Sequence, residues 1–307
     1  MATQYLITGG LGLIGSELVN NLAGPTTVIS RSNKFIKRLQ RTDVTVIYKD
    51  IVDISPEDLK GVDVIYHLAS TVDNYNILTD PYLDMETNIR GTIHLLECCK
   101  QLQKKPKVIF TSTFFVYGNQ YEKQNKPINE ESPTDPLALY PATKLCAESI
   151  IMLYGKLYDI PYIICRLTNV YSEYESYTNK KKGALNYLIM RAVKGEPISL
   201  YHDGNFYRDY IHVKDVVSAL QFLESRAENN LFLIGFGKPI LFKDIIDYVL
   251  EHTGKQSKIE NIEPPAFHNI VGIRNFIADT GKIESLGWHA SIDYKAGIQQ
   301  IIKEYTS

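Results

Sequence analysis

Two residues that could move a proton, Tyr140 and Lys144, stand four residues apart at the head of an apolar run. On a helix this spacing places both side chains on one face. An ammonium beside a phenol favours the ionised form of the phenol, whose reference pKa is about 10. A phenol tuned in this way can transfer a proton near neutral pH. The pair therefore indicates acid/base chemistry.

A glycine pattern far upstream indicates a phosphate-binding turn. It follows a predicted strand, Thr3–Thr8, and opens a predicted helix, Leu11–Leu22. Gly9 permits the tight turn, Gly12 lets the backbone approach a pyrophosphate, and Gly15 allows the helix to pack closely on the sheet. The amides at the start of the helix then face the phosphates. The predicted cofactor contacts in this turn are Gly9, Gly12, Leu13, Ile14 and Gly15.

The elements that must position these motifs alternate between strand and helix, which is typical of a parallel sheet covered on both faces. Besides the first strand, we predict strands at Thr26–Arg31, Val44–Tyr48, Val62–Ala69, Lys107–Thr113 and Tyr162–Thr168. Long helices are predicted at Pro81–Leu102 and Tyr140–Tyr158. Later segments are predicted to form a loop at Tyr171–Gly183 and shorter elements at Ala184–Lys194, Val213–Leu223 and Phe242–His252.

This order of elements predicts an α/β fold, a Rossmann-type doubly wound parallel sheet with a smaller C-terminal lobe. Residues 1–168 would form the dinucleotide-binding domain and residues 169–307 mainly the lobe, with some segments returning to the first domain. A length of 307 residues suits one large domain with an appended region.

Composition excludes several classes of function. A formal net charge of −2 gives no electrostatic footprint for DNA or RNA. The sequence shows no signal peptide and no apolar run that could span a bilayer, so we expect a cytoplasmic protein without a membrane partner. The four cysteines lack metal-ligand spacing, so no metal site is predicted and buried free thiols are expected.

Together with the segment Thr111–Gly118, the glycine turn and the Tyr140/Lys144 pair resemble the extended short-chain dehydrogenase/reductase superfamily, specifically its nucleotide-sugar epimerase/dehydratase/reductase branch. The resemblance implies that Tyr140 is the general acid/base and that Lys144 binds the nicotinamide ribose and lowers the pKa of the phenol. Thr113, four residues before the Tyr of Val-Tyr-Gly, would hydrogen-bond the reacting sugar oxygen. A homodimer is also implied.

The second strand bears on the choice of nicotinamide cofactor. NAD sites usually end this strand with an acidic residue, whereas this strand runs into Arg31 between two serines. Arg31 could pair with a 2′-phosphate, so NADP(H) is favoured and NAD(H) remains possible. The alternative is a solvated Arg31 or one stacked on adenine. By resemblance, further cofactor contacts are Asp50, Ile51, Leu68 and Ala69.

The resemblance also implies a nucleotide-diphosphate sugar as substrate, bound by the C-terminal lobe. Its predicted contacts are Asn88, Asn169 and Arg208, and a guanidinium fork suits the diphosphate oxygens. The alternative for Arg208 is a surface ion pair with Asp209. Where many epimerases carry a second phosphate-binding arginine, this chain has Asn269 beside His268.

One difference from related enzymes limits the reactions that this chain could catalyse. The related 4,6-dehydratases carry an Asp-Glu pair after the Ser/Thr, and this chain has Phe114-Phe115. Aromatic rings cannot act as acid or base, so dehydration is disfavoured. We expect NADPH-dependent 4-keto reduction of a nucleotide-diphosphate sugar, with a 4-epimerase that holds NAD tightly as the alternative. A non-catalytic dinucleotide sensor or scaffold is a third reading. The nucleotide base and the sugar stay open.

Overall fold

The computed structural model describes residues 2–71, 77–178 and 184–306. Their contacts divide the chain into two compact units. Unit 1 comprises Met1–Val116, Ala138–Arg166 and Val217–Phe232, and unit 2 comprises Tyr117–Leu137, Leu167–Val216 and Leu233–Ser307. Residues 179–183 of the predicted loop lie outside the described residues.

A seven-stranded sheet carries the residues of the predicted dinucleotide site. Its strands are β1 (Tyr5–Thr8), β2 (Thr26–Ser30), β3 (Val44–Tyr48), β4 (Val64–His67), β5 (Lys107–Thr113), β6 (Tyr162–Leu167) and β11 (Asn230–Ile234). They lie in the order β11-β6-β5-β4-β1-β2-β3. The strands from β5 to β3 pair in parallel, so their carboxyl ends meet at one edge. The predicted Rossmann-type fold is confirmed.

Helices lie between these strands along the sequence. They are α1 (Leu13–Asn21), α2 (Tyr82–Asp84), α3 (Gly91–Gln101), α5 (Leu139–Tyr158) and α7 (Val213–Glu224). A π-helical segment, Met85–Arg90, joins α2 to α3. A core of unit 1 lies between the sheet and helices α3 and α5, where Leu6, Ile65, Leu95, Val108 and Ile151 are buried together.

Unit 2 is built from short strands and amphipathic helices. It contains α4 (Gln120–Gln124), β7 (Asn169–Tyr171), α6 (Ala184–Lys194), β8 (Ile198–Tyr201), β9 (Tyr207–Arg208), β10 (Tyr210–His212), β12 (Ile240–Leu241), α8 (Phe242–Thr253), β13 (Ile259–Ile262), α9 (Ala266–Val271), α10 (Gly281–Glu284) and α11 (Tyr294–Thr306). The strands form three pairs: β7 with β10, β8 with β13, and β9 with β12. Apolar faces of α6, α8 and α11 form its core.

The observed elements differ from the predicted ones mainly at their ends. The strand predicted at Val62–Ala69 is shortened to β4, and the helix predicted at Pro81–Leu102 contains the π-helical segment. Cys146 is exposed, which corrects the expectation that all four thiols are buried. None of the helices that the structure describes is long and apolar enough to cross a membrane. Among those residues, no cluster of His, Cys, Asp or Glu could hold a metal ion.

Candidate active site

The glycine cradle, Gly9 to Gly15, joins β1 to the start of α1. Gly9 has φ +71, and a Cβ atom there would lie 2.8 Å from the amide nitrogen of Ala69, so only glycine fits. A Cβ on Gly15 would lie 2.4 Å from the carbonyl oxygen of Gly9, so this glycine lets α1 approach the turn. Around Gly12 the nearest such contact is 3.1 Å. The three glycines therefore let the turn pack tightly against the start of α1, whose first amides have no helical partner.

Tyr140, Lys144 and Thr113 form one buried cluster in unit 1. Tyr140 lies in the first turn of α5, where Pro141 costs little because first-turn amides have no helical acceptor. Lys144 lies one turn later on the same buried face, and its Nζ stands 3.9 Å from the centre of the Phe110 ring. Thr113 ends β5 and hydrogen-bonds the phenol of Tyr140. The structure thus brings together the three predicted catalytic side chains.

Burial dominates the electrostatics of this cluster. Burial raises the pKa of Tyr140, the hydrogen bond from Thr113 lowers it, and the charge of Asp84 raises it further. Burial lowers the pKa of Lys144 to about 7, and the carboxylate of Glu148 opposes that change. The expectation that Lys144 lowers the pKa of Tyr140 is thus not met among the protein's own groups. Near neutral pH, Lys144 is only partly charged.

His67 is a structural neighbour of the cluster. Its Nδ1 lies 2.8 Å from Thr8 Oγ1 and its Nε2 lies 2.9 Å from Thr92 Oγ1. Burial, and secondarily the charge of Lys144, lower the pKa of His67 to about 3. A neutral imidazole with both nitrogens engaged ties β1 and β4 to α3, and it adds no positive charge to the site.

A buried ion pair behind Lys144 was not identified in the sequence. Glu148 lies one further turn along α5, and its Oε2 accepts a 2.7 Å hydrogen bond from Nη2 of Arg166 on β6. Ser112 Oγ also donates to Glu148 Oε1. The available signal was the spacing, since positions 140, 144 and 148 lie on one helical face.

Asn88 is engaged by its neighbours within unit 1. Its Nδ2 donates to Thr71 Oγ1 at 3.1 Å and to Thr143 Oγ1 at 3.0 Å. Its Oδ1 accepts from Ser70 Oγ at 2.8 Å. Thr71 also donates to the buried carboxylate of Asp84. The amide of Asn88 therefore links the end of β4 to α5 close to Tyr140, and its contact with a substrate stays a prediction.

The other predicted cofactor residues lie at the carboxyl ends of the strands. The amide of Ala69, after β4, donates to Thr8 Oγ1 at 3.2 Å, and the amide of Leu68 donates to Thr8 O at 3.1 Å. Arg31 Nη1 lies 3.9 Å from Asp50 Oδ2, and the arginine side chain is 58% exposed. Ile51, next to Asp50, is buried in the core. A carboxylate therefore accompanies the cation that follows β2.

Unit 2 contains a cavity of about 350 Å³ lined by cationic, polar and aromatic side chains. Its lining includes Arg208, Arg274, His202, His268, Asn269, Phe206 and Glu122. Arg208 donates to the carbonyl groups of Ile273 and Arg274, and its guanidinium lies 4.9 Å from the centre of the Phe206 ring. Burial lowers the pKa of Arg208 to about 10, so it stays charged at neutral pH. This cavity suits an anion attached to a planar ring.

Asp209 points away from Arg208 into unit 2. Its carboxylate accepts hydrogen bonds of 2.8 Å from Thr168 Oγ1 and from the amides of Phe236 and Gly237. The alternative of an Arg208–Asp209 surface ion pair is therefore wrong. Asn169 donates its Nδ2 to the carbonyl oxygen of Asp209 at 3.0 Å, and it does not line the cavity.

The residues of unit 1 fit a nicotinamide dinucleotide. The cradle at Gly9, Gly12 and Gly15 would be filled by any larger side chain, and it lies at the N-terminus of a helix, as a pyrophosphate requires. The acid/base cluster of Thr113, Tyr140 and Lys144 belongs to the same unit. The unit thus combines a phosphate cradle with groups that can transfer a proton.

Sequence comparison agrees with this geometry. The model of the NAD dependent epimerase/dehydratase family matches residues 5–235. A protein of Methanocaldococcus jannaschii that carries the provisional name UDP-glucose 4-epimerase is 28% identical over 307 residues, which cover 97% of each chain.

Comparison with solved structures gives the same result. The UDP-glucose 4-epimerase of Thermotoga maritima, solved with UDP-glucose, has a TM-score of 0.89 and 25% identity over 99% of both chains. MoeE5, solved with UDP-glucose and NAD, has a TM-score of 0.86 and 25% identity, covering 99% of this chain and 98% of that one.

Proposed function

Because the chain belongs to the NAD dependent epimerase/dehydratase family, we propose that it is a nucleotide-sugar 4-epimerase that retains NAD and acts on a UDP-hexose. The observation that carries this proposal is the buried cluster of Thr113, Tyr140 and Lys144 in the unit that holds the glycine cradle. The similar proteins described above support the choice of 4-epimerisation over 4-keto reduction.

Each residue of the cluster has a distinct role in this proposal. Tyr140 takes the proton of the sugar hydroxyl and later returns it, and Thr113 orients the same oxygen. Lys144 stabilises the phenolate when it carries its charge. A nicotinamide dinucleotide held at Gly9, Gly12 and Gly15 would supply reversible hydride transfer at the sugar carbon. Return of both the proton and the hydride to the same molecule means that no second substrate is consumed.

The surroundings of Arg31 favour NAD over NADP. The guanidinium is shared with Asp50 at 3.9 Å, and a carboxylate beside a 2′-phosphate is unfavourable because like charges repel. An exposed cation also gains little from a single pairing. The NADP(H) preference expected from Arg31 has no support from the relatives, since MoeE5 was solved with NAD.

The cavity of unit 2 supports a nucleoside diphosphate as the bound part of the substrate. Arg208 and Arg274 offer positive charge, and Phe206 and Tyr201 offer aromatic rings for a base. We assign uridine as the nucleoside of the substrate because the Thermotoga maritima protein was solved with UDP-glucose.

The 4-ketoreductase remains the second candidate, because Arg31 is an exposed cation at the position where a 2′-phosphate would bind. A ketoreductase must exchange its cofactor in every turnover, whereas an epimerase keeps it. The scaffold reading is weaker, since the chain resembles enzymes and a scaffold has no need of a buried acid/base cluster.

One experiment separates these readings. Purified full-length protein is incubated with UDP-glucose and no added nicotinamide, and the sugars are followed by NMR. We expect UDP-galactose to form, and NAD to be released when the protein is denatured. Oxidation of added NADPH by a 4-keto nucleotide sugar, with no epimerisation of UDP-glucose, would assign the chain to the ketoreductases instead.

Exposed apolar side chains of unit 1 support a homodimer. Ile93 on α3 and Met152, Leu153 and Leu157 on α5 are all at least 37% exposed. Burying such residues against a second copy would remove apolar surface from water. Light scattering of the purified protein should give twice the mass of one chain, and Leu153→Glu should give the mass of one chain. Localisation in the cytoplasm stays a prediction.

A further inference from the structure

The buried pair of Glu148 and Arg166 lies outside the set of residues that contact sugar or cofactor in the proposed reaction. Glu148 is fully buried, and the side chain of Arg166 is 6% exposed. Arg166 Nε donates to both carboxylate oxygens, at 3.1 and 3.2 Å, and Nη2 donates to Oε2 at 2.7 Å. The forked contact fixes the carboxylate in one orientation.

This pair lies directly behind the catalytic cluster. Glu148 is one helical turn after Lys144 and two turns after Tyr140, and all three side chains are on the buried face of α5. Ser112, which donates to Glu148, immediately precedes Thr113. The pair is therefore connected to both elements that carry the candidate catalytic residues, the buried face of α5 and the end of β5.

The charge of Lys144 is finely balanced at this position. Burial lowers its pKa to about 7, and Glu148 is the group that raises it. A lysine with such a pKa changes its charge near neutral pH, so a small change in the nearby field decides whether it carries an ammonium.

Other groups around Lys144 bear on the same balance. From α5, Tyr140 faces it; from β4, His67 faces it as a neutral ring; and Arg166 reaches the carboxylate of Glu148 from β6. Asp84 acts on Tyr140 instead. Glu148 is thus the carboxylate that raises the pKa of Lys144, and Arg166 is hydrogen-bonded to that carboxylate.

We propose that Glu148 and Arg166 are positioning residues that set the charge of Lys144 with opposite signs, and thereby tune proton transfer through Tyr140. The inference rests on the proposed function for its catalytic consequence only. The simpler reading is that the pair holds α5 against β6. That reading predicts that loss of either partner shifts the titration of Lys144 in the same direction or not at all, because each loss leaves a buried charge without its partner.

The experiment measures Lys144 itself, in full-length protein labelled at the ε carbons of its lysines. The signal of Lys144 is assigned by its loss in Lys144→Met, and its pH titration is followed by NMR. Glu148→Gln should move the midpoint to lower pH and Arg166→Met should move it to higher pH, each by about 1 pH unit or more. The pH profile of kcat/KM should move in the same directions.

Three further variants serve as controls. Glu148→Asp keeps the carboxylate with a shorter side chain, so the titration should stay close to that of the wild type. Glu57→Gln removes a carboxylate from an exposed pair with Lys60 and should leave Lys144 unchanged. The double variant Glu148→Gln/Arg166→Met leaves no unpaired charge, so it keeps the test available if Glu148→Gln does not fold. The titration midpoint of Lys144 in the double variant should lie at lower pH than in Arg166→Met.

Shifts of the same sign in both single variants, or no shift in either, would overturn the proposal. So would a double variant that titrates like Arg166→Met. These results do not depend on which nucleotide sugar is the substrate. A protein that lacks epimerase activity but shows the opposite shifts would refute the proposed function and keep this inference.

Discussion

The two units present two different kinds of site. In unit 1 the candidate catalytic side chains are buried, and Tyr140, Lys144 and Thr113 are each less than 9% exposed. In unit 2 the cavity is open, and Asn269 and His202 in its lining are exposed. Burial perturbs pKa values strongly in the first site, where they decide whether a proton can move. The open cavity offers hydrogen-bond donors and charge, which suits binding. Chemistry and recognition are thus expected to respond to different substitutions.

Tyr140→Phe should give the largest effect, because it removes the proton-transferring hydroxyl and leaves the ring packing intact. Turnover should fall by roughly 10²–10⁴-fold, the usual contribution of a positioned acid/base. The NAD content and the thermal unfolding midpoint should stay near wild type, as measured by nucleotide analysis and circular dichroism. Tyr158→Phe, at the other end of α5, serves as the control. Wild-type turnover in Tyr140→Phe would remove the catalytic assignment.

Lys144→Met should stabilise the protein at neutral pH while slowing turnover. The folded-state pKa of about 7 lies below the reference value of 10.5, so the unfolded chain binds more protons between these values. Stability should therefore rise as pH rises from about 7 to about 10.5 in the wild type.

The substitution removes this dependence and should add up to about 5 kcal/mol to the free energy of unfolding at pH 7, since each pKa unit is worth about 1.36 kcal/mol. Urea unfolding at several pH values measures the free energy of unfolding of the wild type and of Lys144→Met. Lys100→Met, at a half-buried pair with Glu97, should change the free energy of unfolding little. If Lys144→Met destabilises at neutral pH, the burial argument for unit 1 fails.

Arg208→Ala should act on binding, because a diphosphate is held equally in ground and transition states. Loss of a hydrogen bond to a charged group costs about 1.5–3 kcal/mol, so KM for the nucleotide sugar should rise about 10–100-fold with kcat little changed. Arg208→Lys keeps the charge but not the fork and should give an intermediate KM. A fall in kcat with an unchanged KM would contradict the assignment of substrate binding to unit 2 and of proton transfer to unit 1.

Arg31→Ala should have the smallest effect. The side chain is exposed and its contact with Asp50 is long, so NADH affinity should change by less than about 1 kcal/mol. Fluorescence titration with NADH and NADPH measures it, with Arg38→Ala as a control at another cation of unit 1. Tighter binding of NADPH than NADH by the wild type, lost in Arg31→Ala, would restore the ketoreductase reading.

Much of the fold could be predicted because it is encoded locally. The β-branched run Val44–Tyr48 and the strand Lys107–Thr113 were predicted with the bounds that the structure shows. The strands of unit 2 were missed, because segments of two to four residues such as β9 and β12 are too short for a periodic signal. The π-helical segment was missed as well, since a single wide turn is too short to show a period of its own in the sequence.

The candidate site also contains features that could be predicted from the sequence and features that could not. Tyr140 and Lys144 were predicted from one helical spacing, and Thr113 from the resemblance, by its position four residues before Tyr117. The direction of the pKa change at Tyr140 was not, because it depends on how deeply the phenol is buried, and burial is a tertiary property. The setting of Arg31 beside Asp50 was missed for the same reason, since the two residues follow different strands.

By itself, the sequence determined the glycine turn, the parallel strands around it and the shared face of Tyr140 and Lys144, because turns and helical periodicity follow from residues a few positions apart. Only the tertiary structure decided which distant groups meet. Arg166 reaches Glu148 across 18 positions, and Arg208 reaches the carbonyl of Ile273 across 65. Such contacts depend on how segments fold back on each other, and the electrostatic field that sets the charge of a buried lysine is the sum of them.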